Sequence, residues 1–209
     1  AEHLTPVVME LGGKDPLIVC NDADIPKAVH SALGGIFVNL GQNCIASERV
    51  IVLDGIYDRF MAELTAHAGK LRQGVPRRGG NVHVGAITTA QQIRVIDTLV
   101  NDALDKGATA VVGGAKREIG DGTFYPPTIL TNLTSDMRIT REEIFGPVML
   151  VFRVRSEDEA IALANSTEFG LHSTVITSDH ARGRRLAARL EAGATCINDF
   201  GLCYLNQDL

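Results

Sequence analysis

Residues 15–53, DPLIVCNDADIPKAVHSALGGIFVNLGQNCIASERVIVL, have the pattern of a strand, a helix and a second strand. Residues 17–20 and 49–53 are near-continuous apolar runs, with Arg49 as the exception, which is typical of strands covered by helices on both faces. Between them, apolar residues recur with helical spacing, and Asp22 or Asp24 can cap the first turn. The segment therefore predicts a βαβ unit with two parallel strands.

The same alternation of short apolar strands and helical patterns continues to the end of the chain. Further strands are predicted at residues 109–112, 148–154, 173–177 and 194–197, and helices at residues 24–40, 57–71, 89–106, 157–165 and 181–190. This order predicts an α/β fold, a mostly parallel twisted sheet flanked by helices. Residues 74–81, GVPRRGGN, are interpreted as a surface loop, and residues 1–209 are expected to form a single domain.

Composition and charge exclude some classes of function as a first interpretation. The 209 residues include 20 Lys and Arg against 25 Asp and Glu, a net charge of −5, which argues against sequence-independent nucleic-acid binding. The longest apolar stretch, residues 144–152, contains Gly146 and Pro147 and is shorter than the roughly 20 residues of a membrane-spanning helix. Residues 1–9 contain no secretory signal, so we expect either a cytoplasmic protein or one whose upstream sequence was removed.

The cysteines and histidines give no metal-binding pattern. The four cysteines form no Cys-x-x-Cys pair and are too few for a disulfide framework. The six histidines show no spacing typical of zinc ligands, so no metal site is predicted. Any chemistry is therefore expected from side chains or from an organic cofactor.

Glu10 lies in MELGGK, where two consecutive glycines allow a tight turn and a close approach of another group. Taken alone, the motif is explained equally well by a turn with an incidental carboxylate beside it. Cys44 lies in GQNCIAS, in a loop between the first predicted helix and the second predicted strand. Backbone amides in such a loop can lower a thiol pKa and expose a nucleophile. The alternative is a small apolar filler, which is the better explanation for Cys20 and Cys196.

Two adjacent carboxylates, Glu142 and Glu143, precede a Gly-Pro turn in REEIFGPV. They could form a solvated charge pair, or one of them could hold the hydroxyl pair of a ribose, as acidic residues do in dinucleotide sites. The residues themselves do not decide between these alternatives.

The order and spacing of the three motifs resemble the aldehyde dehydrogenase superfamily. MELGGK is followed by GQNC, with 44 − 10 = 34 residues between Glu10 and Cys44, and then by EEIFGPV, with 143 − 44 = 99 residues between Cys44 and Glu143. Weaker matches to the same family are ANSTEFGL at residues 164–171 and GATCIN at residues 193–198. The resemblance therefore covers about the whole chain.

The resemblance implies an NAD- or NADP-dependent oxidation of an aldehyde to a carboxylic acid. Cys44 would be the nucleophile that forms a thiohemiacetal and then a thioester, and Glu10 would activate the water that hydrolyses the thioester. By the same resemblance, the other site residues would contact the cofactor. Glu143 would hold the nicotinamide-side ribose, Phe145 would pack near the ring, the backbone at Leu11 would lie near the carboxamide, and Gln92 would lie near the adenine-side ribose.

The resemblance also implies parts that are expected outside residues 1–209. These are an N-terminal cofactor-binding domain and a C-terminal oligomerisation segment, so we expect residues 1–209 alone to have little dinucleotide-dependent activity. The parent protein would then be a homodimer or homotetramer that binds a small aldehyde and no nucleic acid, without membrane contact through these residues.

Three alternatives remain open at this stage. A reductase of acyl phosphates and a coenzyme A-acylating relative both use a cysteine nucleophile, but Glu10 argues against them because a water-activating base serves only hydrolysis. A non-enzymatic binding or structural descendant is the third alternative. A protein of that kind has no need for a nucleophile, a base and a ribose ligand together, so the presence of all three argues against it.

Overall fold

The computed structural model describes residues 6–77, 80–119 and 122–200. The strands are β1 (Pro16–Val19), β2 (Arg49–Leu53), β3 (Thr109–Val112), β4 (Arg117–Ile119), β5 (Gly122–Phe124), β6 (Thr128–Thr131), β7 (Val148–Val154), β8 (His172–Ile176) and β9 (Ala194–Ile197). The helices are α1 (Ile25–Phe37), α2 (Asp54–Ala68), α3 (Ala90–Asp105), α4 (Glu157–Ala164) and α5 (His180–Ala187), and short 3-10 turns lie at Val38–Gly41 and Arg138–Thr140. One of the four cysteines, Cys203, lies outside the described residues, and so do residues 78 and 79 of the 74–81 loop.

Seven strands form one sheet in the order β3-β6-β7-β2-β1-β8-β9, and β4 and β5 form a separate hairpin. Every neighbouring pair in the large sheet is parallel except β3 with β6. The predicted α/β class with a mostly parallel sheet is therefore confirmed. The helical crossover of α1 between β1 and β2 is the βαβ unit that residues 15–53 predict.

Helices cover both faces of the sheet, which explains the uninterrupted apolar strands. Leu17 and Val19 of β1 pack in a cluster with α1 and α2, whereas Ile18 packs on the opposite face with α4 and α5. A further cluster joins α3 to Leu130 and Leu150 of β6 and β7. No helix within the described ranges is both long and apolar enough to cross a membrane.

The differences from the sequence-based prediction lie in short elements and helix ends. Strands β4, β5 and β6 were not predicted, and β4 and β5 have only three residues each, which is too short for a clear alternation. Helix α1 ends at Phe37 rather than at residue 40, since Asn39 and Leu40 adopt left-handed backbone angles. Asp24 provides the N-cap, accepting a hydrogen bond from the Lys27 amide at 3.0 Å.

The sheet order explains how three distant motifs come together. MELGGK leads into β1, GQNC precedes β2 by a few residues, and EEIFGPV leads into β7. Strands β7, β2 and β1 are consecutive neighbours and parallel, so their amino ends lie at one edge of the sheet. The candidate site is therefore built at the amino ends of three adjacent strands.

Candidate active site

Two glycines of MELGGK bring the three motifs into contact. A Cβ on Gly13 would collide with the carbonyl oxygen of Cys44, and a Cβ on Gly12 would lie 2.6 Å from Oε2 of Glu143. The Gly13 amide also donates a hydrogen bond to Oε1 of Glu143 at 2.9 Å. At Gly13 a side chain would push the backbone of the cysteine loop away, whereas at Gly12 it would displace the Glu143 carboxylate from the turn.

A third close contact joins the cysteine loop to the loop that carries Glu143. Gly41 has a positive φ of 67°, and a Cβ there would overlap the carbonyl oxygen of Gly146. Asn39 and Leu40 also have positive φ, so the chain reverses sharply between the end of α1 and the cysteine. This reversal directs residues 42–44 towards MELGGK.

Cys44 is half-buried in its loop. The side chain of Asn43 accepts a hydrogen bond from the Ile45 amide at 3.2 Å, and its oxygen lies 3.8 Å from the Cys44 sulfur. Burial raises the pKa of the Cys44 thiol, and the nearby charges of Glu10 and Asp15 raise it further, while the amides of Cys44 and Ile45 act in the opposite direction. The expectation that this loop lowers the thiol pKa is therefore wrong for this structure, because desolvation outweighs the amide hydrogen bonds.

Glu10 and Leu11 lie on the exposed side of the MELGGK turn. Glu10 is exposed, and Leu11 is 58% exposed, although it is a large apolar side chain. The negative charge of Glu10 is one of the causes that raise the pKa of the Cys44 thiol. Glu10 is exposed, whereas Cys44 is half-buried.

Glu143 lies in the wall of an open cleft of about 840 Å³, and Phe145 follows two residues later as a half-buried side chain. The wall of the cleft is formed by Arg141, Glu142, Glu143 and residues 165–169, which belong to ANSTEFGL. Glu143 forms part of the wall and is half-buried, with one carboxylate oxygen bonded to Gly13. Glu142 in the same wall pairs with Arg138 in a two-bond contact of 2.7 and 2.9 Å, whereas Glu143 is bonded to the MELGGK turn.

Gln92 contacts the backbone of the same loop. It lies in the first turn of α3, and its side-chain amide donates a hydrogen bond to the carbonyl oxygen of Ile144 at 2.7 Å. The structure therefore places Gln92 beside Glu143 and Phe145, where it holds the loop between them.

A buried ion pair beneath these motifs was not identified from the sequence. Lys14 and Glu48 are 0% and 2% exposed, and Lys14 Nζ lies 2.5 Å from Oε2 of Glu48. The Glu48 carboxylate also accepts hydrogen bonds from the amides of Ile144 and Phe145, each at 2.9 Å. Burial raises the pKa of Glu48, and Lys14 and the two amides oppose that shift.

Arg49, the first residue of β2, is a third buried charge beside Lys14 and Glu48. Its guanidinium donates hydrogen bonds to the carbonyl oxygens of Lys14 at 2.7 Å, Leu163 at 2.8 Å and Ala164 at 2.7 Å. Arg49 thus ties MELGGK to the end of α4, from which ANSTEFGL begins. The sequence shows Glu48 and Arg49 as two charges next to the apolar residues 50–53, but nothing in it specifies their partners.

Asp15 and His172 form a second buried polar contact. Asp15 Oδ1 accepts a hydrogen bond from the His172 amide at 3.3 Å, and Oδ2 lies 3.7 Å from His172 Nδ1. Burial raises the pKa of Asp15 to about 8 and lowers that of His172 to about 4. Both side chains are therefore neutral at pH 7.

No cluster of three or more potential metal ligands occurs in residues 6–77, 80–119 and 122–200. Cys20 and Cys196, two of the remaining cysteines, are buried in strands or directly after one, as their interpretation as core residues predicts.

Comparison with known proteins identifies the family. The family model described as "Aldehyde dehydrogenase family" matches residues 1–207. A succinate-semialdehyde dehydrogenase [NADP(+)] of Deinococcus radiodurans is 44% identical over 94% of this chain and 41% of its own length. A betaine aldehyde dehydrogenase of Brucella anthropi is 42% identical over 96% of this chain and 42% of its own length.

Solved structures give the same result. A betaine aldehyde dehydrogenase from Staphylococcus aureus, solved in complex with NAD+, has a TM-score of 0.89 and 36% identity, covering 96% of this chain and 40% of that one. An NADP-dependent enzyme of Escherichia coli has a TM-score of 0.86 and 40% identity, covering 91% and 39% of the two chains. The chain thus spans about 40% of the length of these relatives. The family model and the shared fold together show that the chain belongs to the aldehyde dehydrogenase family.

Proposed function

We propose that this chain provides the nucleophile, the base and part of the cofactor site of an NAD- or NADP-dependent aldehyde dehydrogenase. The observation that carries the proposal is the Gly12–Gly13 turn, which touches the carbonyl of Cys44 on one side and the carboxylate of Glu143 on the other. A turn that contacts both residues supports their assignment to one site, Cys44 as the nucleophile and Glu143 as the ribose ligand.

Cys44 attacks the carbonyl carbon of an aldehyde and becomes bound to the substrate as a thiohemiacetal. Since burial keeps the resting thiol protonated at neutral pH, the thiol proton passes through solvent to the oxygen of the aldehyde as the sulfur adds to the carbonyl carbon, and this step does not require Glu10. The amide of Cys44 faces the sulfur and is the donor available to an oxyanion formed there, whereas the amide of Ile45 is bonded to Asn43. Glu10 then activates the water that releases the carboxylic acid from the thioester.

The residues present fit a nicotinamide dinucleotide, which when bound accepts the hydride of the substrate. Glu143 has one oxygen engaged by Gly13 and its other oxygen beside Gly12, at the wall of the 840 Å³ cleft. A carboxylate in that position can accept hydrogen bonds from a ribose diol. Phe145 contributes a half-buried aromatic ring from the same loop, and the backbone at Leu11 lies at the MELGGK turn.

Related proteins support the choice of cofactor and of substrate class. Their names refer to NAD+ or NADP+ and to aldehydes as different as succinate semialdehyde and betaine aldehyde. We extend to this chain only the common part, an aldehyde and either dinucleotide. A hydrolytic route is favoured over coenzyme A or phosphate transfer because Glu10 is an exposed carboxylate whose charge acts on the Cys44 thiol.

Two further parts of the proposal concern organisation. We propose that residues 1–209 act as one catalytic domain, because a single seven-stranded sheet with helices on both faces spans the described residues. We also propose that the protein works as a homodimer or homotetramer in the cytoplasm.

A burst experiment in the full-length protein tests the two catalytic roles separately. Cys44→Ala should abolish reduced-dinucleotide formation with a simple aldehyde, because no thiohemiacetal can form. Glu10→Gln should retain a first-turnover burst and slow the following turnovers by about 10²-fold, since only hydrolysis needs the activated water.

Matched controls are available in the same chain. Cys196→Ala removes a buried thiol outside the site, and Glu142→Gln removes the carboxylate next to Glu143, so both should retain burst and turnover. Selective alkylation of Cys44 by iodoacetamide, with a rate that rises with pH, gives an independent measure of the nucleophile. Full activity of Cys44→Ala would contradict the proposal, and loss of the burst in Glu10→Gln would contradict the separate role of Glu10.

A further inference from the structure

Glu48 is a buried carboxylate that contacts residues of MELGGK and EEIFGPV and lies close to GQNC in the sequence. It lies four residues after Cys44 and is 2% exposed, and it is bound by the ammonium of Lys14 from MELGGK. Its Oε1 accepts hydrogen bonds at 2.9 Å from both Ile144 and Phe145 of EEIFGPV, and Oε2 lies 3.2 Å from the Ile144 amide. One carboxylate thus connects the loops that carry the base, the nucleophile and the ring-side residues.

The backbone at Phe145 needs such a connection. Phe145 has a φ of 49°, a left-handed conformation that is unfavourable for a residue with a side chain. Its amide is bonded to Glu48, and the preceding carbonyl at Ile144 is bonded to Gln92 at 2.7 Å. The strained conformation is therefore fixed from both sides of one peptide unit, which determines where Glu143 and Phe145 are presented.

We propose that Glu48 is a positioning residue for the dinucleotide, acting through the amides of Ile144 and Phe145. This inference rests on the proposed function, because it concerns how the cofactor side of that same site is set. Glu48 does not contact the cofactor or the reacting atoms. It holds the loop in the left-handed turn that leaves the Glu143 carboxylate beside Gly12 and Gly13.

The chemistry of the buried pair separates this role from simple stabilisation. Burying a carboxylate and an ammonium costs desolvation, and an apolar pair of similar volume is often equally stable. What an apolar pair lacks is an acceptor for the two loop amides. Replacements that remove both charges, with or without an acceptor oxygen, therefore isolate the positioning effect.

The test compares two double variants of the full-length protein, K14M/E48Q and K14M/E48L. Both are neutral and similar in volume, but only the first retains an oxygen that accepts from the amides of Ile144 and Phe145. We expect NAD+ or NADP+, whichever the unmodified protein binds, to dissociate from K14M/E48L with a constant about tenfold or more above that of K14M/E48Q. Hydrolysis of a nitrophenyl ester, which needs the thiol but no dinucleotide, should differ less than about threefold between the two.

Two additional measurements make each outcome decisive. Amide hydrogen exchange of Ile144 and Phe145 should be slower in K14M/E48Q, because the hydrogen bonds are retained there. E48D keeps the charge and shortens the side chain by one methylene, and it replaces K14M/E48L if that variant does not fold. We expect E48D to bind the dinucleotide more weakly than the unmodified protein does. Melting temperatures of all variants show that they are folded.

The outcomes distinguish this inference from the proposed function. Equal dissociation constants in the two double variants, in a protein that binds the dinucleotide, would overturn the role of Glu48 and leave the proposed function intact. An equal loss of ester hydrolysis and dinucleotide binding in K14M/E48L would also overturn it, since the role would then be structural. Failure of the unmodified protein to bind either dinucleotide would overturn the proposed function itself, whatever the exchange rates show.

Discussion

The charged residues of the site fall into two groups that differ in burial. Glu10 is exposed and Glu143 half-buried, and together with Cys44 they form the site-facing group. Lys14, Glu48 and Arg49, which we call the buried charge layer, are each no more than 2% exposed. The two groups are adjacent in sequence, since Glu10 and Lys14 belong to the same MELGGK motif.

The difference shows that reactivity and support are separated within a few residues. Side chains of the site-facing group have few partners in the described chain, which leaves them free for a substrate or a cofactor. Side chains of the buried charge layer bond to backbone groups of other motifs, as Arg49 does with Lys14, Leu163 and Ala164. Changes in the buried layer should therefore reduce stability, and changes in the site-facing group should reduce chemistry.

The largest effect on stability is expected for Arg49→Met. The substitution keeps the volume but leaves three buried carbonyl oxygens without their donor, which should lower the free energy of unfolding by about 3 kcal/mol. For a chain of this size that corresponds to a fall in melting temperature of about 6–12 °C. Arg49→Lys serves as the charge-preserving control and should recover only a part of this loss, because an ammonium cannot reach three separate carbonyls. An unchanged melting temperature in Arg49→Met would contradict the assigned role of this layer.

A pH-dependent effect of intermediate size is expected for Asp15→Asn. The pKa of Asp15 is about 8 in the folded protein, against an ordinary pKa of 3.8. The contribution of the protonated side chain to stability is therefore complete below pH 4 and is lost as the pH rises to 8. His172 acts in the opposite direction, because its pKa is lowered from 6.5 to about 4 and its contribution is lost as the pH falls.

Melting curves from pH 5 to 9 measure this effect. Asn cannot ionise, so the variant should gain stability relative to the unmodified chain as the pH rises, and the difference should become constant above pH 8. Asp105→Asn, at an exposed position, controls for the loss of one carboxylate. A difference between variant and unmodified chain that does not change with pH would show that Asp15 is not protonated in the folded protein.

The smallest effect on stability is expected for Glu10→Gln. Glu10 is exposed, so its substitution should change the melting temperature by less than about 1 °C. The same variant is expected to slow turnover strongly, which gives the clearest contrast with Arg49→Met. A loss of several degrees would place Glu10 in the supporting framework rather than in the site-facing group.

The sequence allowed the fold and the site-facing residues to be predicted for different reasons. The apolar runs at residues 17–20, 49–53 and 148–154 are strong strand signals, and they correspond to β1, β2 and β7. The prediction that Cys44, Glu10 and Glu143 act together came from the order and spacing of their motifs. The structure brings those motifs into contact, and their catalytic roles stay a prediction.

The buried charge layer could not be predicted in the same way. The partners of Glu48 are 34 and about 96 residues away, and local patterns contain no information on which strands become neighbours. The thiol pKa of Cys44 was predicted in the wrong direction for a related reason. Loop glycines and amides are visible in the sequence, but the amount of solvent removed from a sulfur depends on packing by distant segments.

The position of the site at the amino ends of β1, β2 and β7 has a practical consequence for engineering. The opposite edge of the sheet lies about 13–17 Å away, at roughly 3.3 Å for each residue of a four- or five-residue strand. Turns on that edge, such as the one between β7 and α4 at residues 155–156, can receive a fluorescent label or a short insertion without touching the reacting groups. A reporter placed there would follow unfolding of the sheet while leaving the chemistry of Cys44 undisturbed.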